Sequence, residues 1–137
     1  MLLKSFDEID SQDVDLPGME GVSTQSVFID DEMLPGFHVR MFSLKPKGRT
    51  GLHWHRRQHE HYIVAGEGFF VGKDDVKTCI RGGQVIVVPS LDSHSIVNPS
   101  DSAVLRCGGG LWLRSGLAAT STERTSVAST PLRSSVA

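Results

Sequence analysis

Residues 51–66 read Gly-Leu-His-Trp-His-Arg-Arg-Gln-His-Glu-His-Tyr-Ile-Val-Ala-Gly and hold four of the six histidines of the chain. His53 and His55 stand two residues apart, so on an extended strand both imidazoles point to the same face. Neutral imidazole is the commonest protein ligand for first-row metals. Four histidines within nine positions are hard to explain as separate structural residues, because clustered imidazolium ions would repel one another. The stretch therefore predicts a metal site.

A second segment carries a fifth histidine, His94. Residues 83–98 read Gly-Gln-Val-Ile-Val-Val-Pro-Ser-Leu-Asp-Ser-His-Ser-Ile-Val-Asn. Around both segments, Gly and Pro recur between short runs rich in β-branched and aromatic residues, and helical periodicity is nearly absent. Strands are expected at 26–30, 37–44, 61–65, 69–71, 76–80, 85–88, 95–97 and 103–106. About eight short strands in a body of roughly 90 residues predict an antiparallel sandwich or barrel.

The two segments resemble the first and second motifs of the cupins. The second motif of that family runs Gly, five residues, Pro, one residue, Gly, two residues, His, three residues, Asn. This chain matches all of it except that Leu91 stands where the family has the second glycine. The resemblance covers residues 23–114 and implies an all-β fold, the cupin jelly-roll β-barrel or double-stranded β-helix.

The resemblance also implies the metal ligands. The family takes three ligands from its first motif, usually two histidines and a glutamate, and one histidine from its second. Six residues separate the third ligand from the next turn glycine, so counting back from Gly66 gives His59 and counting back from Gly68 gives His61. The implied set, similar to that of small manganese cupins, consists of His53, His55, His59 and His94. Glu60 is the alternative third ligand, because a strand bulge beside the site can shift the register by one residue.

A four-histidine site leaves the charge of a divalent metal uncompensated, and an octahedral ion keeps two positions open for water, oxygen or a chelating substrate. Nitrogen ligands suit Mn, Fe, Co, Ni, Cu and Zn alike; the resemblance favours Mn or Fe. The expected function is an oxygen-dependent, dioxygenase-like oxidoreductase acting on a small anionic or chelating substrate. A metal-dependent isomerase, epimerase or lyase, and a noncatalytic small-molecule-binding cupin, are the alternatives.

Three further residues are candidates for the chemistry. His61 shares strand parity with His59, and either enters the pocket as a hydrogen-bond donor or proton shuttle, or is a barrel-wall histidine bonded to backbone. Cys107 could line the pocket as an oxidisable thiol, although small buried cysteines usually pack in the core. Arg40 could steer an anion towards the metal, although arginines on strands more often lie at a surface or interface.

Composition limits the remaining classes. The chain has 137 residues and a formal net charge of −2, which argues against nucleic-acid binding because that requires a basic surface. No stretch has the roughly 18 consecutive apolar residues of a membrane span, and the acidic start excludes a signal-peptide core. Two cysteines are too few for a disulfide scaffold. We therefore expect a cytoplasmic protein that contacts neither membrane nor nucleic acid.

Three zones divide the chain. Residues 1–22 form an acidic N-terminal arm, residues 23–114 the predicted domain, and residues 115–137 a Ser/Thr-rich tail. The tail has little apolar area to set against the entropy of ordering, so we expect disorder there. The resemblance implies a homodimer formed through strand exchange or sheet edges, and a strand around 26–30 would offer such an edge.

Overall fold

Short antiparallel strands make up most of the protein. The computed structural model describes residues 3–28 and 37–112; the predicted tail and the last two residues of the predicted strand 26–30 lie outside these ranges. The strands are β1 (Gln12–Asp13), β2 (Glu20–Phe28), β3 (Phe37–Arg49), β4 (His59–Ala65), β5 (Glu67–Val71), β6 (Lys77–Arg81), β7 (Val85–Val88), β8 (Ser95–Val97) and β9 (Leu105–Trp112). Two single 3₁₀ turns, at Phe6–Glu8 and Lys73–Asp75, are the helical elements of the described part.

Seven of the strands follow one another through antiparallel pairing in the order β6-β5-β8-β3-β9-β4-β7, and β2 pairs with β3 on one side and β1 on the other. The long strand β3 joins the two halves of this curled sheet. Its first part pairs with β9, whereas Arg49, its last residue, pairs with Val97 of β8. The expected all-β jelly-roll barrel is confirmed.

Some strand ends match the sequence prediction and others do not. The predicted strands 85–88 and 95–97 have the predicted ends. Strand β2 begins at Glu20, before the predicted start at 26, and β3 continues to Arg49, past the predicted end at 44. The predicted end at 106 is wrong, because β9 runs on through three glycines to Trp112. Glycine usually interrupts a strand, but β9 pairs with β3 on one side and β4 on the other, and this pairing overrides the weak strand propensity of glycine.

The inner face of the sheet is divided along its strands between an apolar and a polar end. Leu44, Ile63 and Leu105 are fully buried and form the centre of the apolar cluster, with Val22, Ile80, Ile96 and Cys107 around them. Because side chains alternate between faces, the inward positions further along β3, β9 and β4 are Arg40, Gly109 and His61, which lie in register with one another. One end of the barrel is therefore packed, and the other holds titratable side chains.

Asn98 ties the loop after β8 to β3. Its buried amide nitrogen donates to the carbonyls of Leu44, Lys45 and Ala103 at 2.8–3.0 Å, and its carbonyl oxygen accepts from the Ser100 N–H at 3.1 Å. A single side chain thus satisfies four backbone groups that would otherwise lack partners.

Part of the acidic arm packs along β2. Gln12 and Asp13 pair with it as β1, and the Gln25 side chain donates to the carbonyls of Phe6 and Ile9 at 2.7 and 2.8 Å. The chain itself therefore pairs with β2 at Ser23 and Thr24, beside the edge expected around 26–30. A dimer contact at that edge stays a prediction. Across the described ranges, no helix has the length and hydropathy needed to cross a bilayer.

Candidate metal centre

The segment between β3 and β4 carries His53 and His55 on one side of an extended backbone. From residue 51 to 60, side chains at odd positions are half-buried and those at even positions exposed. The His53 N–H donates to the His94 carbonyl at 3.1 Å, and the His94 N–H donates back to the His53 carbonyl at 2.9 Å. This isolated bridge joins the two histidine-bearing segments of the sequence.

Three of the imidazoles are oriented by backbone carbonyls. The Nδ1 atoms of His53, His55 and His94 lie 2.7, 2.7 and 2.8 Å from the carbonyl oxygens of Gly51, Arg57 and Asp92. A carbonyl oxygen only accepts, so each Nδ1 carries the proton and each Nε2 has the lone pair. This is the tautomer that metal-ligating histidines adopt when a carbonyl orients the ring.

The implied third ligand lies against the other rings. The centroid of the His59 ring is 4.3 Å from that of His55 and 4.9 Å from that of His94, and His53 and His94 are 4.4 Å apart. The alternative third ligand, Glu60, is exposed. It occupies the outward face of β4, opposite Val87 of β7, where strand alternation directs it away from the histidines.

Burial keeps the inner histidines neutral. Loss of hydration, followed by the nearby His55, lowers the pKa of His59 to about 4. Loss of hydration is also the main cause that lowers the pKa of His94 to about 4, against the opposing effect of the Asp92 carbonyl. At neutral pH both rings therefore keep a lone pair for a metal.

His61 lies inside the same cluster. It is 9% exposed, its Nε2 is 2.9 Å from the Nε2 of His59, and burial together with His59 lowers its pKa to about 3. The alternative was that His61 is a wall histidine bonded to the backbone. The structure shows no such bond, because the Nδ1 of His61 is buried and has no partner within residues 3–28 and 37–112.

Arg40 faces the cluster across Gly109. Burial, and then the charge of Arg57, lowers the pKa of Arg40, and Arg40 in turn is one of the charges that lower the pKa of His59. Its guanidinium carbon lies 5.9 Å from the centroid of the Phe42 ring. Within residues 3–28 and 37–112, no carboxylate forms an ion pair with it.

Cys107 lies in the apolar core, 1% exposed, and packs in the same cluster as Ile63 and Leu105. Burial raises the pKa of its thiol to about 12, so the thiol is protonated at neutral pH and is a poor nucleophile. A role as an oxidisable thiol stays a prediction, while the observed contacts are those of a packing residue. Cys79, the other cysteine, is exposed.

Leu91 shows how the loop before His94 accommodates the missing glycine. Its φ is +70°, in the left-handed region that glycine adopts easily and leucine does not. Its N–H donates to the carbonyl of His55 at 2.8 Å. The turn geometry of the motif is thus retained with a leucine, and the turn braces the backbone beside His55.

The residues fit a divalent metal ion. One nitrogen from each of His53, His55 and His94 lies within 4.8 Å of the others, and the same holds for His59, His61 and His94. The Nε2 of His94 is buried without a hydrogen-bond partner among the residues described, which is costly for a polar atom unless a ligand satisfies it. Imidazole nitrogens are suitable donors for divalent transition metals.

Sequence reasoning missed two parts of the site. The carbonyls of Gly51, Arg57 and Asp92 each accept from a histidine two residues away, and only that spacing could have indicated them. Gly109 separates Arg40 from His61, and a Cβ there would lie 3.3 Å from the Glu60 carbonyl and 4.0 Å from the His61 Nδ1. A side chain at this position would press on the backbone of β4 beside His61.

Comparison with known proteins identifies the class. The family model described as the cupin domain matches residues 40–113, and the chain belongs to the cupin family. No curated protein sequence gave a significant match.

Solved structures share the fold. The polyketide cyclase RemF from Streptomyces resistomycificus has a TM-score of 0.75 at 20% identity, over 82% of this chain and 79% of that one. A predicted oxalate decarboxylase from Thermotoga maritima has a TM-score of 0.72 at 26% identity, over 82% of this chain and 99% of that one. A cupin-2 domain from Rhodospirillum rubrum has a TM-score of 0.67 at 17% identity, over 81% and 74%.

Proposed function

We propose that this cupin is an oxygen-dependent, dioxygenase-like metalloenzyme that oxidises a small anionic or chelating substrate, with a divalent ion held by His53, His55, His59 and His94. The observation that carries the proposal is the Nε2 of His94: its ring is fixed by the Asp92 carbonyl, and its lone pair is buried with no partner in the described part of the chain. Mn or Fe, which the resemblance favours, would supply Lewis acidity and a redox couple there.

The charges around the site favour an anion. Four neutral imidazoles would leave a bound ion with its full positive charge, and the half-buried guanidinium of Arg40 adds to it. In the proposal, Arg40 binds a carboxylate or enolate oxygen of the substrate by charge-assisted hydrogen bonds. Arg40 and His61 flank Gly109 in register, so both would face the bound substrate.

The surrounding groups exclude water and add no further charge. His61 is neutral at neutral pH, so it contributes a lone pair but no charge to the cluster. The apolar cluster below it closes that end of the barrel to water and strengthens electrostatic interactions at the site.

An oxygen-independent lyase is the second candidate, and a specific observation favours it. The Thermotoga protein is described as a predicted oxalate decarboxylase and is 26% identical to this chain. Oxalate is a small dianion that chelates metals. It could therefore pair with the charge of Arg40 and bind an ion held by the histidines. A noncatalytic small-molecule-binding role is the remaining alternative.

An oxygen electrode separates these functions. Protein purified without added metal is analysed for metal and then given diketones, catechols, flavonoid-like chelators and oxalate, in air and under nitrogen. The proposal expects oxygen uptake with at least one chelator, lost in His94→Ala. Turnover under nitrogen, with carbon dioxide released from oxalate, would refute the oxygen-dependent function and support the lyase. Binding without turnover in either atmosphere would support a noncatalytic binding role instead.

We also propose a homodimer. The outer face of β4 and β7 carries apolar side chains that are 44–56% exposed, namely Tyr62, Val64, Val85 and Val87. A patch of this kind favours burial against a second copy. Sedimentation at micromolar concentration should give twice the monomer mass, and Val85→Lys should shift it towards monomer. A wild-type monomer would contradict the proposal. The cytoplasmic location stays a prediction.

A further inference from the structure

His61 is the member of the histidine cluster that a four-ligand centre leaves unused, although it is more buried than His59, the other histidine on β4. Its Nε2 lies 2.9 Å from the Nε2 of His59. Its Nδ1 is buried and finds no hydrogen-bond partner in the described ranges. Within the described ranges, His59 is therefore the hydrogen-bond partner of the His61 ring.

The contact between the two Nε2 atoms competes with metal binding at His59. Without an ion, one of the two nitrogens carries a proton and the other accepts it. In either arrangement the lone pair of the His59 Nε2 is unavailable. An ion bound at this nitrogen must break the hydrogen bond, and leaving the buried Nε2 of His61 unpaired would cost about 1–3 kcal/mol. That cost disappears if the His61 nitrogen turns its own lone pair to the same ion.

The spacing of the nitrogens suits this arrangement. Two nitrogens that bind one octahedral ion at about 2.1 Å and at right angles are about 3 Å apart, and the observed distance is 2.9 Å. His59 and His61 also each offer a nitrogen within 4.8 Å of one from His94.

His94 belongs to both histidine triads. It lies with His53 and His55 in one and with His59 and His61 in the other. Its Nδ1 donates to the Asp92 carbonyl, so only its Nε2 can bind a metal, and one lone pair binds one ion. The rings of His55 and His59, one from each triad, have centroids 4.3 Å apart. An ion at the His94 Nε2 would therefore lie beside both triads.

We propose that His61 is a fifth metal-binding imidazole that binds the same ion as His94 and retains the ion when His59 is removed. A fifth imidazole would leave the ion fewer positions for a substrate than a four-histidine centre would. This inference rests on the proposed metal centre but not on the proposed oxygen chemistry.

Cobalt(II) binding to the full chain tests the inference. The dissociation constant is measured by competition with a chromophoric chelator, and the visible spectrum of the bound ion reports its ligands. The variants are His59→Ala, His61→Ala, the double variant and, as a matched control, Glu60→Gln, which changes an exposed neighbour on the same strand. Circular dichroism checks the fold, and His61→Phe replaces His61→Ala if the smaller residue fails to fold.

Each single histidine variant should still bind one Co²⁺ per chain, about 10–100-fold more weakly and with an altered spectrum, by analogy with the loss of a supporting ligand. The double variant should bind roughly 1000-fold more weakly, and Glu60→Gln should match the wild type.

A His61 variant with the wild-type constant and spectrum would overturn the inference, as would complete loss of binding in His59→Ala alone. Failure of the wild type to bind would overturn the metal centre itself. An absence of oxygen uptake in a protein that binds as expected would count only against the proposed reaction.

Discussion

Acid should destabilise the metal-free protein through its buried histidines, and His61 should account for the largest single share. Burial and the neighbouring imidazoles lower its pKa from 6.5 to about 3 in the folded chain, so the unfolded chain takes up a proton at a higher pH. The stability is therefore fully present above pH 6.5 and is lost as the pH falls from 6.5 towards 3. One pKa unit corresponds to about 1.4 kcal/mol, so the whole shift is worth at most about 5 kcal/mol. About 3 kcal/mol of it should be lost by pH 4.5.

Urea unfolding followed by circular dichroism, at pH 7.5 and 4.5 after treatment with a chelator, measures this loss. The free energy of unfolding of the wild type should fall more than that of His61→Phe, with a difference of up to about 3 kcal/mol. The remaining loss in the variant comes from His59 and His94, whose pKa values are also lowered. Tyr62→Phe, a change on the outer face of the same strand, should behave as the wild type. If wild type and His61→Phe lose the same free energy, His61 does not titrate as a buried group and the reasoning fails.

Three further changes test other parts of the molecule. His94→Ala should reduce bound metal to near zero by elemental analysis, whereas Glu60→Gln should keep it; metal lost in the Glu60 variant would mean that the carboxylate is a ligand. Asn98→Ala removes four hydrogen bonds and should lower the free energy of unfolding by about 3 kcal/mol in urea titrations; a loss below about 1 kcal/mol would show that water replaces them. Leu91→Gly relieves a left-handed leucine and should raise the free energy of unfolding by about 1 kcal/mol; a lower melting temperature than that of the wild type would contradict the strain.

The sequence predicted the fold well where side-chain patterns report burial directly. Strand β7, a run of four β-branched residues, was predicted to the residue because such a run seldom forms anything else between turn signals. The full length of strand β9 was not predicted, because glycine has no side chain that could show alternating burial. Its glycines lie in the sheet because β9 pairs with β3 and β4. Pairing between distant strands leaves no local trace in the sequence.

For the site, the spacing of the histidines predicted which residues share a strand face, but not the distances between their nitrogen atoms. Parity predicted that His59 and His61 share a face, and both are in the cluster. Parity could not predict how close their nitrogens come, because that distance depends on ring rotations chosen by packing against His94 and the β9 backbone. The orienting carbonyls were missed for the same reason, since every residue has one and only the fold selects which are used.

Two backbone hydrogen bonds join His53 to His94, so the peptide chain itself brings together the two segments that carry the histidines. Backbone bonds of this kind do not discriminate between metals, and the intrinsic preference of nitrogen donors rises from manganese to copper. Correct loading must then depend on which ions are in supply where the chain folds, and growth media enriched in different metals should yield differently loaded protein.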